Sequence, residues 1–173
     1  MARIIIVMIL LTGIFAGGLL YYQQVYAYYD EVQMTPDAVA LTSVTSAQPE
    51  PLLIDTFDAI DANSSPLRYR ACFTTPISLA TLTETYQIVD EAEPRVAPGW
   101  FDCFDAVQIG ADLRDEAVAF LGTENIVYGI DRIVAVYPDG RGYVWHQINA
   151  CGEVVFDGEP APEGCPTPPE SQE

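Results

Sequence analysis

The sequence predicts an α+β domain carried on an N-terminal transmembrane helix, and three observations predict it. The chain opens on an uncharged run of 19 residues, Ile4–Tyr22. Segments with helical spacing of apolar residues follow in its middle third. After Arg114, short apolar stretches come too close together to leave room for helices between them, the pattern of an antiparallel meander. The domain is therefore read as one antiparallel sheet with two short helices on one face, braced by disulfides.

The opening run, residues 4–22, matches the roughly 20 residues with which a helix crosses a bilayer core of about 30 Å. Residues 1–29 are read as an uncleaved anchor that partners the lipid bilayer. Val25-Tyr26-Ala27 also satisfies the small-residue rule for signal cleavage, so removal after Ala27 stays open as an alternative. No cysteine directly follows the run, which excludes a lipoprotein anchor. Arg3 precedes the span while Asp30 and Glu31 follow it, favouring a cytoplasmic N-terminus and an exported domain. Tyr21, Tyr22, Tyr26, Tyr28 and Tyr29 gather at the far end, where amphipathic rings favour the lipid–water boundary. Gly13 and Gly17 form a small-xxx-small pair that could admit a second helix, although a lone anchor needs no reason for them.

Residues 30–51 are polar, hold three prolines and read as a flexible tether, with Val39–Val44 available as a short edge strand. The folded domain is expected over residues 52–158. Leu67, Tyr69, Ala71 and Phe73 alternate with Arg68, Arg70 and Cys72, the period of a half-buried strand. Thr75-Pro76 then offers an N-cap and a first-turn proline, and Leu79, Leu82, Tyr86 and Val89 mark one helical face. Asp105 can cap a second helix, with Gln108 placed as in a capping box and Val107, Ile109 and Leu113 as its apolar side. Ala117–Leu121, Ile126–Ile130, Ile133–Tyr137, Tyr143–Ile148 and Val154–Phe156 are the strand candidates, with a turn at Pro138-Asp139-Gly140-Arg141. Residues 159–173 form a Pro-rich tail pinned to the body by Cys165.

Charge and cysteines narrow the function classes. The formal charge is 7 − 25 = −18, with no lysine. Residues 30–173 hold six arginines against 25 carboxylates, which excludes a phosphate-tracking nucleic-acid binder. With 50% apolar residues and 11% aromatics the chain is no disordered acidic tail either. Cys72, Cys103, Cys151 and Cys165 all lie beyond the span, an even count that reads as two disulfides in an exported domain. Three pairings are possible, and Cys72–Cys103 with Cys151–Cys165 closes the shortest loops. Neither a CxxC spacing nor a second histidine supports a zinc site, and no metal or cofactor is expected.

Few residues are candidates for chemistry. His146 is the single histidine. A two- or four-residue turn at Asp139-Gly140 pairs Ile133 with His146 and sets Asp131 on the same sheet face, where a carboxylate could orient an imidazole as general base. Its neighbours Ile133, Val144 and Ile148 are apolar and favour the plainer reading, a sheet histidine hydrogen-bonded for structure. Arg68 and Arg70, on one side of their strand, could clamp an anion, against the alternative of internal ion pairs. Asp58, Asp61 and Asn63 offer oxygens without the spacing of a calcium loop. The segment Pro98–Asp105 is the richest in aromatics, read as packing under a disulfide or as a partner-binding edge. HExxH, GxSxG and a phosphate-binding glycine loop are all missing from the sequence.

A short N-terminus with Arg3, one span ending in tyrosines, and the blocks YRACFTTPISLATLTETY, APGWFDCFDA, YGIDRIVAVYPDGRGYVWHQIN and CGEVVFDG together resemble an uncharacterised bacterial family. That family comprises small single-pass envelope proteins with a domain of unknown function. The resemblance covers nearly the whole chain and implies membrane anchorage but no catalytic residues. Members of such families are sometimes labelled histidine kinase; this chain departs from that label, having no ATP-binding glycine motif and a histidine set in a strand. The expectation is a non-enzymatic accessory or interaction module of the cell envelope. Its rivals are an extracytoplasmic small-ligand sensor acting through a partner protein and, further off, an enzyme using His146 or the cysteines.

Overall fold

The computed structural model describes residues 2–169. Met1, and residues 170–173 at the end of the Pro-rich tail, lie outside the described residues. Helix α1, Ala2–Tyr22, buries none of its side chains and passes through a π-helical turn, Gln23–Ala27. The two together are long and apolar enough to cross a membrane, as an anchor or a signal sequence does.

Only Tyr28 and Tyr29 separate that turn from the first strand, so the tether expected over residues 30–51 is not a tether. Strand β1, Asp30–Glu31, pairs with β4, Thr56–Asp61. Strand β2, Ala40–Thr42, pairs with β3, Pro49–Pro51. Val39 and Leu41 are fully buried, and their alternation is what the prolines and hydroxyls around them obscure. Pro49 and Pro51 are tolerated because β3 is an edge, where a missing N–H breaks no second ladder.

The main sheet is antiparallel throughout, in the order β1-β4-β5-β8-β7-β6. Its remaining strands are β5 (Arg70–Thr74), β6 (Val118–Val127), β7 (Ile130–Val136) and β8 (Arg141–Ile148). Leu67 and Arg68, expected to begin β5, instead lie in a short 3₁₀ turn, Pro66–Arg68, capped by the Ser65 hydroxyl. The two strands expected at 117–121 and 126–130 are largely one, β6, irregular beyond Leu121.

Both sheet faces are covered, not one. Phe57, Ala59, Ala71, Phe73, Phe120, Val134 and Val144 share the first face, roofed by β2, by Leu52 and by helix α2, Leu79–Thr85. Ile60, Ala119, Ile133, Ala135 and Trp145 share the second, beneath Phe101, Phe104 and helix α3, Ala106–Asp112. The aromatic segment 98–105 thus contributes Phe101 and Phe104 to a core.

Caps explain the helix boundaries. Thr75 does not start α2: its N–H donates to the Gly140 carbonyl and its hydroxyl to the Leu53 carbonyl, and Ser78 caps the helix instead. Tyr86 and Val89 lie beyond α2, in an extended link whose backbone bonds both Thr42 and β6. Asp105 caps α3 through the N–H groups of Val107 and Gln108, but the Gln108 amide turns to Asp112 rather than back to the cap, and Val107 is exposed. Val154–Phe156 is not a strand. It ends helix α4, Ala150–Phe156, whose N-cap is Asn149. Disulfides join Cys72 to Cys103 and Cys151 to Cys165, the pairing that closes the shortest loops.

Helix α4 docks where Gly152 meets Gly129. A Cβ on Gly152 would stand 2.2 Å from the Gly129 carbonyl oxygen, so backbone would have to move. Gly152→Ala is expected to lower stability by roughly 1–3 kcal/mol in denaturant unfolding. Gly110→Ala, inside α3 with only Pro94 side-chain atoms 3.6 Å away, is expected to raise it by about 0.5–1 kcal/mol. Equal effects at the two glycines would refute this packing.

Candidate functional site

The β7–β8 turn decides what surrounds the histidine. Tyr137 and Arg141 close the hairpin, leaving the three residues Pro138, Asp139 and Gly140 as the loop. Gly140 takes φ +87°, the left-handed position such a loop requires. An odd loop shifts the register by one residue from the two- or four-residue expectation. Ile133 therefore faces Trp145, and Arg132 faces His146. Asp131 pairs with Gln147 and points to the other side of the sheet, so the expected Asp131–His146 couple does not form.

His146 is instead held between Arg132, Tyr69 and the Pro66 carbonyl. Its Nδ1 meets the Pro66 oxygen, and the Arg132 Nε–H donates to Nε2 at 3.1 Å. The two contacts together fix the neutral Nδ1–H tautomer, with both ring nitrogens occupied. The Tyr69 ring stacks on the imidazole at 4.9 Å, and the Arg132 guanidinium lies 4.4 Å from the Tyr69 ring centroid. Burial, and then the positive charges of Arg132 and Arg70, push the imidazole down to about 4 despite the favourable Pro66 contact. Asp61 stands at the edge of this group with its own carboxyl raised by burial, and Tyr69 is likewise raised by burial.

The other candidates are dispersed. Arg70 is buried and donates to the carbonyls of Leu67, Tyr69, Arg95 and Val96, which leaves no N–H fork aimed outward. Burial lowers its guanidinium to about 10. Arg68 lies in the 3₁₀ turn over the Tyr29 ring, 5.6 Å from its centroid, so the two arginines do not form a clamp. The internal ion pairs expected for them are replaced by these carbonyls and rings. Among the described residues the ion pair that forms is Arg141–Asp139 at 2.7 Å, exposed on the hairpin turn. Asp131 accepts from the Asn125 N–H at 2.8 Å and the Asn149 amide at 2.7 Å, tying the irregular end of β6 to the start of α4.

Three residues that carry this architecture are not among the candidates read from the sequence, although two of them leave a signal there. Arg132 becomes visible only once the loop is known to be odd. Asn125, at φ +48°, has the side chain that tolerates a left-handed turn, and Asn149 precedes α4 as a cap. Both asparagines are therefore legible signals. A cleft of about 610 Å³ lies between Asp90–Arg95 and the end of β8, where Gln147 bridges the Glu91 carbonyl and the Glu93 N–H. Four of its nine lining residues are carboxylates, Asp90, Glu91, Glu93 and Glu153, yet no cluster of His, Cys, Asp or Glu among the described residues could hold a metal ion.

A family model described as Family of unknown function (DUF6446) matches residues 39–166, three quarters of the chain. The chain belongs to that family. The DUF6446 match begins at Val39, in the segment that the prolines disguise as a tether, and takes in both disulfides. No curated protein and no solved structure matches the chain.

The histidine's setting has a pH signature. Folded, the imidazole stays neutral down to about pH 4; unfolded, it protonates near 6.5. Between those values the unfolded state binds the extra proton. His146 therefore supports the fold fully above pH 6.5 and loses that support as the pH falls toward 4, by roughly 3 kcal/mol. Unfolding curves of the wild type and of His146→Gln, compared across that range, should converge as the pH drops. A constant difference between them would contradict the assignment.

Proposed function

We propose that the protein is a membrane-anchored accessory module of the bacterial envelope, held by α1 in the inner membrane with its DUF6446 domain in the periplasm, and that it acts by binding another envelope protein. The observation that carries this reading is the employment of its reactive groups. His146 has both nitrogens occupied, Arg70 serves four carbonyls, Asp131 holds the end of β6 to the start of α4, and the four cysteines are paired. Groups fixed in this way position backbone; they are not presented to a substrate. Disulfides of this kind belong to an oxidising compartment, which supports export of the domain. The apolar, fully exposed α1 supports the anchor.

Retention of the span is supported by contacts at its end. The Trp100 indole N–H donates to the Val25 carbonyl at 2.6 Å, and the Trp100 ring stacks against Tyr26 at 6.1 Å. Cleavage after Ala27 would remove both partners.

The test is gentle detergent extraction of the tagged chain from membranes, followed by crosslinking and mass spectrometry. An intact mass near 19.0 kDa and one reproducible envelope partner are expected. Loss of that partner on Gly13→Leu with Gly17→Leu would locate the contact within the membrane. A solitary monomer, or a chain beginning at Tyr28, would contradict the reading.

A further inference from the structure

The junction between helix and domain is short and aromatic. Two residues, Tyr28 and Tyr29, connect the π-helical turn to β1 and span at most about 7 Å. Across this gap a chain of rings runs from the helix to the core. Tyr22 stacks on Tyr26 at 5.8 Å, Tyr26 on Trp100 at 6.1 Å, and Trp100 meets Phe101 edge-on at 6.3 Å. Tyr29 also meets Trp100, edge-on at 5.8 Å. Trp100 thus belongs to the same aromatic girdle as the tyrosines that end the span.

The loop bearing Trp100 is otherwise unusual in what it exposes. Val96 is 76% exposed and Val107 80%, more than any other large apolar side chain among the described residues. Both line one groove of about 250 Å³, whose walls include Pro98, Gly99, Phe101 and Phe104. Residues 94–107 carry Arg95 against Asp102 and Asp105, close to neutral in a domain whose remainder is strongly acidic. Apolar side chains beside an interfacial tryptophan, on a stretch of net charge −1 in an acidic domain, suit a lipid headgroup region. The two aspartates suit zwitterionic headgroups rather than anionic ones.

We propose that the loop Arg95–Val107 is a second membrane contact, with Val96 and Trp100 seated in the zwitterionic headgroup layer of the bilayer that α1 spans. The domain then rests on the lipid surface in a fixed orientation. This inference rests on α1 being an uncleaved anchor.

Only Trp100 and Trp145 can report by tryptophan fluorescence, and Trp145 is fully buried. The full chain is reconstituted in phosphatidylcholine vesicles with bromine placed high on the acyl chains, and its emission is compared with that in unbrominated vesicles. Trp145→Phe isolates Trp100; the difference between the wild type and Trp100→Phe gives the same reading with the core untouched. Brominated lipid should cut the Trp100 emission by about two-fold, and Val96→Asp with Val107→Asp should restore most of it. Adding phosphatidylglycerol should weaken the quenching. Unchanged Trp100 emission in a chain that floats with the vesicles would overturn the lipid contact and leave the anchor standing. A chain that fails to float would overturn both.

Discussion

Gly140, at φ +87°, lets three residues connect β7 to β8, and the register that follows decides which side chains meet. With that register Trp145 enters one core opposite Ile133, and Val144 enters the other opposite Val134. Strand β8 sits between β5 and β7, so the same parity is imposed across the sheet: Ala71 faces Val144 and Arg70 faces Trp145. A slip of one residue would exchange every inward and outward side chain. The turn is tied down from outside, where the Gly140 carbonyl accepts the Thr75 N–H, and from within, where Asp139 accepts the Arg141 N–H. One short loop therefore governs both cores and the histidine's surroundings.

Two cores on one sheet account for how so small a domain is closed. The β2–β3 hairpin and α2 seal the first face, and the link at residues 86–89 carries hydrogen bonds from β2 across to β6. The Phe101–Phe104 segment and α3 seal the second, where the Cys72–Cys103 disulfide fastens the covering loop to β5. That loop also meets the end of α1 through Trp100. Helix α1 is consequently joined to the domain by packing as well as by sequence. Trp145 carries one cost of this arrangement: its buried indole N–H has no hydrogen-bond partner, a penalty offset by packing against Phe104.

Much of this was legible in residue types. The long apolar N-terminal helix, the Asp105 cap, the hairpin at 138–141, the disulfide pairing and the α+β class follow from run length, cap chemistry, turn residues and loop closure. What escaped has physical causes. Loop parity cannot be read from Pro-Asp-Gly-Arg alone, because that sequence suits loops of two, three or four residues, and an odd loop moves His146 from Asp131 to Arg132. Residues 30–51 look like a linker because edge strands tolerate the prolines that linkers favour, while Val39 and Leu41 are too few to announce a core. Val154–Phe156 is too short for its apolar run to distinguish a strand from a helix end; Asn149 was the better guide. Arg68 and Arg70 separate because Ser65 caps a turn over Pro66–Arg68, which delays the start of the strand from Leu67 to Arg70.

The account of function stands on His146 being part of the wall and not a base awaiting a substrate. With a single imidazole in the chain, its ¹⁵N spectrum is free of overlap. A folded, membrane-reconstituted sample should show Nδ1 protonated, Nε2 unprotonated and accepting from Arg132, and no titration until the pH approaches about 4. The Nε2–H tautomer, or a midpoint near 6.5, would mean that the ring is open to solvent or paired with a carboxylate, and would contradict both the register and the reading built on it.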